Sequence, residues 1–201
     1  LLLEVALIDL QQARGVASHF NRSTPLDAFI TSAMGGLILW ATVVILDFTA
    51  RSFRRIELQP DDARAARAGL VMLTLGCALG IAITLIGEEQ QAAGRAPQVF
   101  GEAGVLKFAH GVPLHGIQIF FVQAWLLRRL GVPLAARLRS LAASVAGLAA
   151  FTAYGVVQTA LGAPRWPPES VAWAFAAAAT LAFGAAAVVA WAGWRRSARF
   201  D

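Results

Sequence analysis

The stretch A-G-L-V-M-L-T-L-G-C-A-L-G-I-A-I-T-L-I-G, residues 68–87, carries no charged side chain and decides the class of the fold. Wound as an α-helix at about 1.5 Å per residue, it reaches about 30 Å, the thickness of a bilayer's hydrocarbon core. It lacks the period-2 alternation that a barrel strand needs. Four further stretches have the same character: residues 28–48, 105–127, 141–161 and 171–194. The links between them hold helix breakers, namely Pro60 with Asp61 and Asp62, Gly94 with Pro97, Gly131 with Pro133, and Pro164 with Pro167 and Pro168. The whole chain agrees with this reading. Of its 201 residues 58% are hydrophobic and only 14% charged, with mean hydropathy +0.62, whereas a soluble domain carries about 25% charged residues. A soluble globular protein, a disordered chain and a coiled coil are thereby excluded. The expected fold is an all-α integral membrane protein, a bundle of five complete transmembrane helices (residues 28–201) preceded by an N-terminal outer segment (residues 1–27).

Residues 1–10 are apolar enough to be the tail of an earlier membrane helix, so the chain is expected to be a piece of a longer one; no signal-peptide order is legible there. The single cysteine, Cys77, provides for neither a disulfide framework nor a cysteine-built zinc site. It reads as a small buried side chain. The net charge of +5 does not point to nucleic acid, because the basic residues sit in short runs between apolar stretches. Twelve of the seventeen fall in the first link (Arg51, Arg54, Arg55, Arg64, Arg67), the third link (Arg128, Arg129, Arg137, Arg139) and the tail (Arg195, Arg196, Arg199). The opposite side has Arg14, Arg22, Arg95, Lys107 and Arg165. Positive loops stay in the cytoplasm, which predicts a cytoplasmic C-terminus and an outer N-terminal segment. Trp166 and Trp173 then belong to the outer interface, and Trp125, Trp191 and Trp194 to the inner one.

So oriented, the histidines His19, His110 and His115 all lie on or toward the outer side, with Asp27, Glu88, Glu89 and Glu102. The third span carries A-H-G-V-P-L-H-G-I-Q, residues 109–118. At about 100° per residue His115 is rotated about 140° from His110, with Gln118 between them, so the three share one broad face. Pro113 predicts a kink, and Gly111 and Gly116 permit close approach. The second polar string, Q-Q-A-R-G-V-A-S-H-F-N-R-S-T-P-L-D (residues 11–27), is too polar to cross the membrane. It ends in a helix start, with Ser23 or Thr24 as cap and Pro25 in the first turn.

Ionisable groups within a span are expensive and are kept facing protein or a wet cavity. The expected site is therefore a polar ligand or cofactor pocket in the outer half, built from His110, His115 and Gln118 and closed by His19, Arg14 and Asn21. The imidazoles would coordinate or exchange protons, Gln118 would orient the ligand, and Arg14 would attract an anionic group. The blander alternative makes His115 and Gln118 hydrogen-bonded contacts between helices. A divalent metal would need all of His19, His110 and His115, since H-E-x-x-H is absent and the pair is i, i+5. Haem would need His19 opposite His115. Ser18, His19, Asp27, His110 and His115 also supply the residue types of a metal-dependent intramembrane hydrolase. A proton-coupled transporter and a structural membrane subunit complete the alternatives. Asp47 is read as an interfacial partner of Arg51 at i+4, Glu88 and Glu89 as solvating a helix end, and Gln123, Thr152, Tyr154 and Gln158 as inter-helix hydrogen bonders.

The strings Q-x-x-R-G-V-x-S-H-F-N-x-x-T-P-L-D and H-G-V-x-L-H-G-I-Q resemble those of a family of uncharacterised bacterial polytopic membrane proteins. The resemblance covers the N-terminal segment and the third span. It implies a multi-pass protein of the bacterial inner membrane, with further helices upstream, and carries no activity or catalytic residues. The lipid bilayer and a small-molecule ligand are the expected partners; the sequence leaves the oligomeric state open.

Overall fold

The computed structural model describes residues 2–54, 57–95 and 107–197. Arg55, Pro97, Glu102, Val105 and Arg199, all used in the sequence reading, lie outside the described residues. Among the described residues every regular element is helical: α1 (Leu2–Ala13), α2 (Pro25–Ser52), α3 (Pro60–Ala92), α4 (Lys107–Leu114), α5 (Gly116–Arg129), α6 (Leu134–Ala160) and α7 (Ala172–Ser197). Four helices are long and apolar enough to cross a membrane: α2, α3, α6 and α7 over Ala172–Arg195.

The third expected span is not one helix. It is divided at His115, where the backbone turns to φ −86°, ψ −1°, into the eight residues of α4 and the fourteen of α5. Pro113, inside α4, has no N–H to donate and its ring presses on the preceding turn. The expected kink falls here, and of the five expected complete spans four are present as long helices, the third being divided between α4 and α5.

Local chemistry sets the ends. α1 stops at Gly15, whose φ of +69° favours a residue without Cβ. Gly15 N–H then reaches Gln12 O at 2.9 Å and Val16 N–H reaches Gln11 O at 3.2 Å, the paired bonds of a Schellman ending. α3, α5 and α6 finish in the same way. At the start of α2, Thr24 Oγ1 accepts from Asp27 N–H at 3.2 Å and donates to Asp27 Oδ2 at 2.7 Å, with Pro25 in the first turn.

The passes alternate in direction, as tertiary contacts at each end show. At the basic end Arg128 and Arg137 reach Asp61, Arg67 reaches Ser52 O, and a Cβ on Gly193 would lie 2.8 Å from Ala136. The ends of α2, α5 and α7 therefore meet the starts of α3 and α6. At the other end Arg22 pairs with Glu88 at 3.0 Å and Arg165 lies over the Phe108 ring at 5.6 Å.

Packing is tightest along one side of α3. A Cβ on Gly69 would come 2.6 Å from Ile117 Cα, one on Gly76 2.6 Å from Leu114 Cδ2, and one on Gly80 2.8 Å from His110 Cε1. These glycines let the broken pair α4–α5 lie directly on α3. Around Gly116 and Met72 the core closes with Ala65, Phe120, Ala124, Leu141 and Leu148. Large apolar side chains face outward instead: Leu181 is 73% exposed, Phe29 69% and Trp40 68%. A surface so apolar on helices of spanning length is compatible with lipid, so the chain is a multi-pass membrane protein.

Candidate functional site

The N-terminal polar string, residues 11–27, folds into a clasp. Gln11 and Asp27 are almost wholly buried. Arg14 Nη1 donates to Asp27 Oδ1 at 2.6 Å and also to Gln11 Oε1. Gln11 Nε2 lies 3.4 Å from the same carboxylate oxygen, and Thr24 donates to the other. Asn21 accepts from Ser23 N–H at 3.1 Å, while its carbonyl accepts from Thr31 at 2.8 Å. Between them Phe20, at φ +57°, seats its ring on Gly87, and its carbonyl accepts from Gln91 Nε2 at 2.6 Å. Arg14 thus ties α1 to α2 and Asn21 ties the loop to α2, while Phe20 seats the loop on the end of α3. Asn21 is buried, whereas Arg14 makes both contacts through Nη1 and its side chain is 31% exposed.

His19 sits in this loop, with Nδ1 2.9 Å from Ser18 Oγ. Partial burial pulls its pKa below 6.5; the carboxylate of Glu4 opposes that shift and the ammonium of Lys107 adds to it. Asp27 is bonded to Gln11, Arg14 and Thr24, and among the described residues no hydrogen bond joins it to His19.

His110 points into the bundle. Its ring lies on the bare backbone at Gly80, and Nδ1–H donates to Gly76 O at 2.7 Å. Because a carbonyl only accepts, the proton is on Nδ1 when the ring is neutral. His115 and Gln118 lie on the other side, exposed on the surface of the chain. With its amide nitrogen turned to the backbone, Gln118 donates to the carbonyls of His115 at 3.1 Å and Leu114 at 3.2 Å, bracing the break. The His115 ring has no hydrogen-bond partner among the described residues.

The expected common face therefore separates. His110 turns toward α3 with Leu114 and Ile117, which meet Gly80, Gly76 and Gly69 at i, i+4 and i+7, whereas His115 and Gln118 are exposed; the rotation of about 140° between the two histidines is enough to part them. The three-histidine metal set is not assembled either: among the described residues no three His, Cys, Asp or Glu side chains are grouped to hold a metal ion. For the haem pairing, His19 is bonded to Ser18 in the loop between α1 and α2, while His115 is exposed between α4 and α5.

Most of the remaining polar residues are structural. Asp47 pairs with Arg51 at 2.7 Å, as its spacing predicts. Gln123 donates to Ser140 at 2.9 Å, and Ser140 to Ala186 O at 2.9 Å, which links α5, α6 and α7. Gln158 fastens the loop after α6 through Pro164 O at 2.7 Å, Pro167 O at 2.8 Å and Glu169 N–H at 3.1 Å, and Tyr154 donates to Arg165 O.

One constellation escaped the sequence reading. Asp61 is fully buried, with Arg128 at 3.1 Å and Arg137 at 2.8 Å; Arg128 also reaches Asp62 at 2.7 Å. Read locally, Asp61 and Asp62 are ordinary acids at a helix start. Only the return of α5 and α6 to that end supplies the arginines.

Compared with known proteins, the chain matches no family model, no curated protein and no solved structure.

Proposed function

We propose that the chain is a five-pass protein of the bacterial inner membrane, its N-terminal segment outside and its C-terminus in the cytoplasm, that holds a small polar ligand at His115 and Gln118. In this reading α4 and α5 together form the third pass. Placing the basic end in the cytoplasm follows the positive-inside rule. Irregular backbone at membrane depth is tolerated where it meets protein, water or ligand, and such breaks are where transporters and channels place their binding groups.

One observation carries the proposal. Of the three histidines, His19 is bonded to Ser18 and His110 to Gly76, while His115 stands exposed at the break with its ring unbonded among the described residues. An imidazole there can accept or donate a hydrogen bond, bind a metal centre or exchange a proton. Gln118 keeps its carbonyl oxygen for the ligand while its nitrogen braces the backbone.

The full chain and its His115→Gln variant, purified in mild detergent, are compared for co-purifying small molecules by mass spectrometry, for metal content and visible absorption, and for proton flux in vesicles. The expected result is a bound species or a proton flux in the parent protein that the variant lacks while its helical content is unchanged. If neither protein holds a bound species and their proton fluxes are equal, the proposal is refuted.

A further inference from the structure

At the basic end, α3 and α6 and the end of α2 leave an open groove of about 500 Å³ on the side of the bundle. Two guanidinium groups stand in its wall, those of Arg64 and Arg67. Deeper in, it is lined by Val71 and Met72 of α3 and by Leu138 and Val145 of α6. Arg67 lies one turn from Val71, and Leu138 lies seven residues from Val145, so the apolar part continues about 10 Å along the helix axes at about 1.5 Å per residue. The charged mouth adjoins residues 68–87, the uncharged run, and so falls where headgroups meet hydrocarbon.

Both arginines are held from opposite walls. Arg67 Nε donates to Ser52 O at 2.7 Å and its Nη2 lies 3.4 Å from Arg54 O, at the end of α2; Arg64 Nη1 lies 3.3 Å from Leu138 O on α6. These contacts use part of each fork and leave the other N–H groups for an acceptor. Neither guanidinium has a carboxylate partner among the described residues. The nearby acids of α3 are already matched, Asp61 by Arg128 and Arg137 and Asp62 by Arg128. A groove with two acid-free arginines at its mouth and an apolar floor is complementary to one kind of molecule, an anion that carries a hydrocarbon chain.

We infer that this groove binds an anionic phospholipid, with its phosphate on Arg64 and Arg67 and one acyl chain along Val71, Met72 and Val145. The site is independent of the His115 reading and uses the opposite end of the bundle. The bound lipid bridges α2, α3 and α6.

The test uses the full chain, delipidated in detergent and then titrated with phosphatidylglycerol or with phosphatidylcholine of the same acyl chains, retention being read by native mass spectrometry. Phosphatidylglycerol should be retained at least about fivefold better, since one basic residue near an anionic headgroup gives roughly that factor. Arg64→Gln, which leaves the tie of Arg67 to α2 intact, should reduce the preference, and Arg64→Gln with Arg67→Gln should abolish it. Val145→Trp, which fills the apolar part, should weaken retention of both lipids with the arginines intact. Equal retention of the two lipids by the parent protein overturns the inference, as does a preference that survives loss of both arginines. Displacement of phosphatidylglycerol by millimolar inorganic phosphate alone would show a site for a free anion and would also overturn it.

Discussion

Asp61 offers the most demanding test of the packing at the basic end. Its side chain has no exposed surface, yet it is ionisable, and its oxygens are met at ion-pair distance by Arg128 at 3.1 Å and Arg137 at 2.8 Å. No contact to either oxygen is aligned as a hydrogen bond, so the attraction is chiefly charge against charge. Asp61→Asn keeps the shape and removes the charge. Arg128 then retains Asp62 at 2.7 Å, but Arg137, only 16% exposed, keeps just its bond to Val132 O at 3.0 Å. Breaking a buried pair from one side costs about 3 to 5 kcal/mol, because the other charge is left without compensation. The isosteric amide still offers an oxygen to Arg137, so the lower figure, about 3 kcal/mol, is expected. Reversible unfolding in mixed micelles measures it, and a cycle with Arg137→Gln should return a coupling of about 0.5 to 3 kcal/mol, the range for residues in direct contact. A loss below about 0.5 kcal/mol for Asp61→Asn, the size of an ordinary surface change, would refute the claim that this charge holds α3, α5 and α6 together.

Gly69→Ala would place a methyl group 2.6 Å from Ile117 Cα, which backbone cannot easily vacate, and should lower stability by about 1 to 3 kcal/mol; Gly35→Ala, which meets nothing within 4 Å, should be neutral or slightly stabilising in the same melts. Gln158→Ala leaves Pro164 O, Pro167 O and Glu169 N–H without their partner, so a loss of about 1 to 3 kcal/mol and faster proteolytic nicking in residues 162–170 are expected, and unchanged nicking would count against Gln158 as the fastener. For His19, burial holds the folded pKa below 6.5, so the unfolded loop takes a proton first as pH falls. Stability is then full above pH 6.5 and declines below it until the folded ring also titrates. Hydrogen exchange in residues 11–27 should accelerate over that window, and His19→Gln should flatten the profile.

Helical spans of membrane length, their alternation and the position of the basic end were all legible in the amino-acid order, because each rests on local quantities: run length, hydropathy, breakers and arginine counts. The cap at Thr24 and Pro25 and the Asp47–Arg51 pair were legible for the same reason, their partners being within four residues. What a pocket requires is different. His110 and His115 share only a broad face, about 140° of helical rotation apart, and α3 covers the side of His110, Leu114 and Ile117 alone. That Gln11 and Asp27 reach Arg14, and Thr31 the carbonyl of Asn21, is a matter of residues up to thirteen apart and is not shown by the amino-acid order. Asp61 looked ordinary because Arg128 and Arg137 lie far along the chain. Burial, pairing and the accessibility of an imidazole are properties of which helices meet. They depend on the bare faces at Gly69, Gly76 and Gly80 that let α4 and α5 settle on α3, and such contacts between distant residues take form only in the folded bundle.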